Sequence, residues 1–142
     1  MKKNKISKDW VNKQRRDIYV RKSKLEGYRS RAVYKLKEID NKFKIIKNGI
    51  KIVDLGSAPG SWSQYLSEKS KNSMIMSIDL KEVDGIKNVN HLIGDFLDEQ
   101  NQVKINNFFC DKLDLVVSDM AVNTTGNKNL DAISTGELTI NA

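Results

Sequence analysis

The 142 residues, 39% hydrophobic and 30% charged, are enough for one packed domain and too few for two. A single cysteine, Cys110, and a single histidine, His91, exclude a disulfide framework and a structural zinc site, and no apolar run approaches the roughly 20 residues that span a bilayer. The net charge of +7 is divided unevenly: residues 1–51 carry 18 Lys and Arg against 5 Asp and Glu, a net of +13, and residues 52–142 carry 7 against 13, a net of −6.

A basic arm on an acidic body is the electrostatic footprint of a polyanion partner, because each Lys or Arg that neutralises a phosphate releases a condensed counterion. Nucleic acid is the expected partner of residues 10–51, and residues 1–8 read as a solvated basic tail. The basic start of the chain lacks the apolar core of a secretory signal, so the expected compartment is the reducing cytosol, with no membrane and no metal.

Residues 7–25 are polar and compatible with a helix, and Gly27 breaks that pattern. Val33, Leu36 and Ile39 then recur at helical spacing, which predicts an amphipathic helix with Ser30 as its N-cap and Lys35 near its middle. Trp10, Tyr19, Tyr28 and Tyr34 lie among basic residues and can either stack on unpaired bases or fasten the arm to the body. Apolar β-type runs follow at about 51–55, 74–79, 89–93 and 113–118, with helix-compatible stretches at 61–70 and 97–109. The alternation predicts one α/β domain with a doubly wound parallel sheet. Residues 1–50 form a basic arm and helix, residues 51–142 the sheet, and ligands should bind outside the carboxyl ends of the strands.

The chemistry-bearing residues fall at those ends. After the first run, Asp54-Leu-Gly-Ser-Ala-Pro-Gly-Ser-Trp62 reads as a strand turning into a helix, with Gly56 and Gly60 letting a ligand approach the backbone. Asp79 closes the second strand 19 residues beyond Gly60, where a carboxylate can accept both ribose hydroxyls of a nucleoside. Asp95 follows the third strand and can accept from an exocyclic amine while Phe96 packs on an adenine face, and Asp119 ends the fourth. Each of these aspartates taken singly is more often a cap or turn residue. Pro59 removes a backbone donor from the turn, which disfavours a pyrophosphate cradle, and no G-x-x-x-x-G-K-[ST] is present. A ligand with a nucleoside but no phosphate fits, and S-adenosylmethionine is the common one.

Ser30-Arg-Ala-Val-Tyr-Lys-Leu36, Asp54-Leu-Gly-Ser-Ala-Pro-Gly-Ser-Trp-Ser-Gln64, Gly94-Asp-Phe96 and Ser118-Asp-Met-Ala-Val-Asn123 together resemble the FtsJ/RrmJ family of ribose 2′-O-methyltransferases, whose bacterial members modify a uridine of large-subunit (23S) ribosomal RNA. The resemblance implies a class I, Rossmann-like methyltransferase sheet of seven strands, incomplete here at its C-terminal end. It also implies an active site of two lysines, an aspartate and a glutamate. Lys35 matches the first lysine and Asp119 the aspartate, while Gly60, Trp62, Asp79, Asp95 and Asp119 fall on cofactor-contact positions. Val122 stands where the family usually has proline. The second lysine and the glutamate belong to the family's later segment, which the stretch to Ala142 does not reach.

Methyl transfer from a sulfonium to a 2′-hydroxyl is an in-line displacement. It needs a positioned hydroxyl that loses its proton, a lysine able to take that proton, and a carboxylate that orients one or the other. Leu130, Ile133, Leu138 and Ile140 suffice to begin the next helix. The fourth strand is interior in the family's order, so its far edge is expected to need cover from a partner or a second copy for stability. Three readings stand side by side: an RNA ribose methyltransferase, a cofactor- or RNA-binding chain without catalysis, and a nucleic-acid-binding protein in which the sheet is only scaffold.

Overall fold

The computed structural model describes residues 7–120. The chain runs α1 (Lys8–Glu26), α2 (Val33–Phe43), β1 (Lys51–Leu55), α3 (Ser61–Lys69), β2 (Met74–Asp79), β3 (Val89–Ile93), α4 (Glu99–Phe109) and β4 (Leu115–Ser118). Each element lies within a few residues of its expected place. The strands form one parallel sheet in the order β3-β2-β1-β4. The beginning of a further helix over 129–142, and Val122, lie outside the described residues.

Helix α1 starts where a side chain can accept an orphan amide. Ser7 Oγ accepts the Trp10 N–H at 3.2 Å, so Ser7 and Lys8 belong to the helix rather than to the basic tail expected there. Gly27 ends it at φ 78°, donating its N–H to Lys24, while Tyr28 donates to Ser23. Ser23 is the only buried residue of α1. The next helix departs from expectation at its start. Ser30 does not cap α2, which begins at Val33 after Ala32; its hydroxyl bonds instead to Ser61 Oγ at 2.8 Å, tying the arm to the first residue of α3.

The period-two alternation of β1 divides the core. Ile52 faces α2 and α3, packing with Val33, Leu36, Leu66, Ile75 and Val117, whereas Val53 and Leu55 face α4 with Met76, Ile78, Ile105 and Phe109. Helices therefore cover both faces of the sheet, and α2 of the basic arm shares a core with it. Asp40, buried at the end of α2, completes that joint by accepting from Ile46 N–H at 2.9 Å and from Tyr65 OH at 3.1 Å. Tyr28 OH donates to Glu68 of α3 at 2.6 Å, so this ring fastens the arm to the body. His91 Nε2–H donates to Lys81 O at 3.1 Å and its Nδ1 accepts from buried Ser77 Oγ at 2.7 Å, a structural use of the lone histidine.

Candidate active site

The register aligns the carboxyl ends. Leu55 of β1 lies opposite Ile78 and Ser118, and Asp79 opposite Ile93, so Gly56, Asp79, Gly94 and Asp119 all emerge at one edge of the sheet. The turn after β1 continues onto β2: Gly56 and Ser57 N–H both donate to Ile78 O, and Ala58 N–H donates to Asp79 Oδ2 at 3.0 Å. Asp79 Oδ1 accepts from Lys81 N–H. Each carboxylate oxygen carries two lone pairs, so Asp79 braces the turn and still has acceptor capacity.

Gly56 and Gly60 have φ of 70° and 110°, a region that favours glycine, and Gly60 caps α3 from there. Both glycines also stand against side chains of the protein. A Cβ on Gly60 would lie 2.9 Å from Ile86 and 3.0 Å from Arg29, and one on Gly56 would run into Met120. Protein side chains occupy that space, and the backbone conformation is what requires glycine. The Ala58–Pro59 peptide is cis.

Arg29 was not singled out in the sequence, because its partners are main-chain carbonyls that no motif reveals. Its Nη1 donates to Pro59 O and Asp84 O, and its Nη2 to Gly85 O, at 2.7–3.1 Å. Gln64 accepts the Arg29 N–H and donates to Gly27 O. One guanidinium thus joins the glycine turn to the loop that follows β2. Arg29→Ala is expected to lower the unfolding free energy by about 2 kcal/mol in urea titration. An unchanged midpoint would remove this role.

Beneath the turn is a cavity of about 60 Å³, bordered by Asp54, Ser57, Trp62, Ser61 and Asp119 among others. Ser57 Oγ is buried there without a hydrogen-bond partner among the described residues. Asp54 is buried beside it, accepting from Ser63 Oγ at 2.7 Å. Burial pushes its carboxyl up to about 7, opposed by the Ser63 hydrogen bond and reinforced by Asp119 and Asp79. No sequence signal marks Asp54, since burial of one polar residue inside a strand leaves no pattern.

Lys35 Nζ and Asp119 Oδ1 form an ion pair at the rim of this cavity, joining residues 84 positions apart. Lys35 is exposed on α2, and Asp119 fixes the position of its ammonium. Trp62 sits in the core and donates its indole N–H to Ala32 O at 2.8 Å, meeting the cavity with a packed ring. Asp95 is exposed and accepts from Leu97 N–H, closing the turn after β3. Phe96 packs half-buried on the α4 side of the core. Asp95 and Phe96 therefore stand at the same sheet edge as Asp79, apart from the Lys35–Asp119 pair. Among the described residues no cluster of His, Cys, Asp and Glu could hold a metal, and no helix is long and apolar enough to cross a membrane.

Comparison with known proteins agrees with this layout. The FtsJ-like methyltransferase family model matches residues 28–142. A Ribosomal RNA large subunit methyltransferase E from Pelagibacter ubique is 60% identical over 142 residues, covering all of this chain and 70% of that protein. One of the same name from Legionella pneumophila (strain Corby) is 46% identical over 133 residues, covering 92% and 65%. The chain thus spans about two thirds of the length of these relatives. A crystal structure of a ribosomal RNA methyltransferase from Plasmodium falciparum superposes with a TM-score of 0.75 at 38% identity, covering 80% of this chain and 68% of that one. With the parallel sheet, the glycine turn and the Lys35–Asp119 pair in place, this chain belongs to the FtsJ-like methyltransferase family.

Proposed function

We propose that this site serves S-adenosylmethionine-dependent methylation of a ribose 2′-hydroxyl, on a uridine of large-subunit ribosomal RNA. The observation that carries the reading is the Lys35–Asp119 ion pair, held at the mouth of a cavity whose wall contains an unpartnered buried hydroxyl. The names of the relatives support ribosomal RNA as the substrate class.

The residues present fit the cofactor in chemistry. Asp79 and Asp95 offer acceptors at the sheet edge, Ser57 Oγ a free donor, and the cavity is small enough for a reacting methyl rather than a whole nucleoside. When bound, the cofactor supplies an electrophilic methyl on a sulfonium. The chain's own work is then positioning. Asp119 Oδ1 holds the Lys35 ammonium, which can donate to the ribose oxygen, and Asp119 Oδ2 would accept the hydroxyl's proton when the bound cofactor gives up its methyl and keeps the electron pair of the broken S–C bond. Asp54 and Ser63 fix the β1–α3 frame on which the turn rests.

Calorimetric titration with S-adenosylmethionine, paired with an assay of methyl transfer to ribosomal RNA, tests this reading. The chain is expected to bind, and Asp79→Ala and Asp95→Ala are each expected to weaken binding by about 1–3 kcal/mol through lost hydrogen bonds. Unchanged affinity in both variants would sink the site assignment. Binding without transfer would leave a cofactor-binding chain that is not catalytic.

A further inference from the structure

Residues 27–32, which connect α1 to α2, are fastened almost one by one to the start of α3. Gln64 donates to Gly27 O at 3.2 Å and accepts the Arg29 N–H at 2.9 Å, Ser30 Oγ meets Ser61 Oγ, and Trp62 donates to Ala32 O. The Arg29 side chain reaches further, to carbonyls on two other segments. It has no carboxylate partner among the described residues, so no ion pair competes for its donors.

Those contacts close a ring of chain around Asp79. Ala58 N–H donates to Asp79 Oδ2 at 3.0 Å, and the carbonyl of the next residue, Pro59, accepts from Arg29 Nη1 at 3.1 Å. The other Asp79 oxygen is held by Lys81 N–H at 2.8 Å, and the loop then returns to the same guanidinium through Asp84 O at 2.7 Å and Gly85 O at 3.1 Å. Ser67 and His91 hold the two ends of the 80–88 segment at Lys87 O and Lys81 O, which leaves Arg29 to hold its middle to the turn. The seat is close. A Cβ on Gly60 would lie 2.9 Å from Ile86, 3.0 Å from Arg29 Nη1 and 3.1 Å from Val83, and Val83 is buried.

We propose that Arg29 is a positioning residue for the cofactor. It acts through Asp79: by clamping residues 84–85 to the glycine turn it keeps the Asp79 carboxylate where it accepts the ribose hydroxyls of the ligand. The inference rests on the S-adenosylmethionine reading and adds that the connector between the two basic helices is part of the frame of that site.

The test is calorimetric titration of the full chain with S-adenosylmethionine, carried out well below the melting temperature of each variant so that lost stability alone does not enter. Arg29→Ala should raise Kd roughly 10-fold, about the weight of one displaced hydrogen bond to a charged group. Arg29→Lys, with a single nitrogen in place of the fork, should fall between that variant and the unaltered chain, and it carries the test if Arg29→Ala does not fold. Tyr28→Phe loses the bond to Glu68 one residue away on the same connector, leaves the ring intact, and should bind as the unaltered chain does. Hydrogen exchange should quicken in Arg29→Ala at the amides of Ala58 and Lys81, the two that Asp79 holds. Unchanged affinity in the Arg29 variants overturns the proposal, as does an equal loss in Tyr28→Phe, which would make the effect a general loosening of the connector. Weaker binding with unchanged exchange at both amides also overturns it, because Arg29 would then act other than through Asp79. If the unaltered chain binds no S-adenosylmethionine, the cofactor reading falls and this inference with it; binding that the Arg29 variants leave intact sinks this inference alone.

Discussion

Alanine at Lys35 is expected to lower methyl transfer to ribosomal RNA by roughly 10²–10⁴-fold, the usual weight of a positioned proton-transfer group, with the calorimetric affinity for S-adenosylmethionine unchanged. The separation follows from geometry. Lys35 lines a groove between α1 and α2 and is absent from the lining of the small cavity, whereas Asp119 borders both. Asp119→Asn is therefore expected to damage both quantities, because it removes the carboxylate that holds Nζ and alters the cavity wall. Lys35→Arg separates two properties of the lysine: a guanidinium keeps the charge and the ion pair but replaces the single compact ammonium donor, so retained activity would assign Lys35 to charge and lost activity to the placement of its donor. A Lys35→Ala chain that transfers methyl groups at the unaltered rate would remove the pair from the chemistry altogether.

The second large effect concerns stability and arises from Asp54. Its carboxyl stands at about 7 in the folded chain against an ordinary value of 3.8, raised first by burial, then by Asp119 and Asp79, with the Ser63 hydrogen bond acting in the opposite direction. Between those values the folded chain holds a proton that the unfolded chain has released, so the contribution of Asp54 to stability is fully present below about pH 4 and is lost as pH rises through about 7. The difference corresponds to on the order of 4 kcal/mol. Asp54→Asn cannot ionise and keeps an acceptor for Ser63 Oγ, so thermal melts from about pH 5 to pH 8 should be flatter for this variant, which should also exceed the unaltered chain in stability above pH 7. Parallel slopes for the two chains would show that Asp54 does not titrate in this window.

The strands and helices were legible because their signals are local. Apolar runs of strand length between glycine and proline, and the 33-36-39 spacing, depend on near neighbours and survive folding. The aspartates were legible because a parallel sheet puts its chemistry at the carboxyl ends, which makes Asp79, Asp95 and Asp119 conspicuous by position alone. What the sequence hid was relational. Arg29 works through carbonyls 30 to 56 positions away, which carry no residue identity. Ser30 has the composition of a cap and the geometry of a cross-link, because Ser61 comes within 2.8 Å of it only in the fold. Trp62 lies in a motif that resembles a cofactor contact, and the structure gives its ring to the core.

Helix α1 contributes one buried side chain, Ser23, and is held otherwise by the Ser7 cap, the Gly27 turn and exposed contacts with α2, where Tyr34 OH and Lys37 Nζ donate to Glu26 and Tyr19 leans on Tyr34. A helix with so little buried surface opens at a small fraction of the free energy that opens the sheet, so its amides are the ones solvent reaches first. Tyr19 and Lys22 ride on that helix. The surface that Tyr19 and Lys22 form with Tyr34 of α2 is therefore complete only for the fraction of time that α1 is intact. Substitutions that strengthen the α1 caps would hold that surface together, and warming would loosen it before the sheet begins to melt.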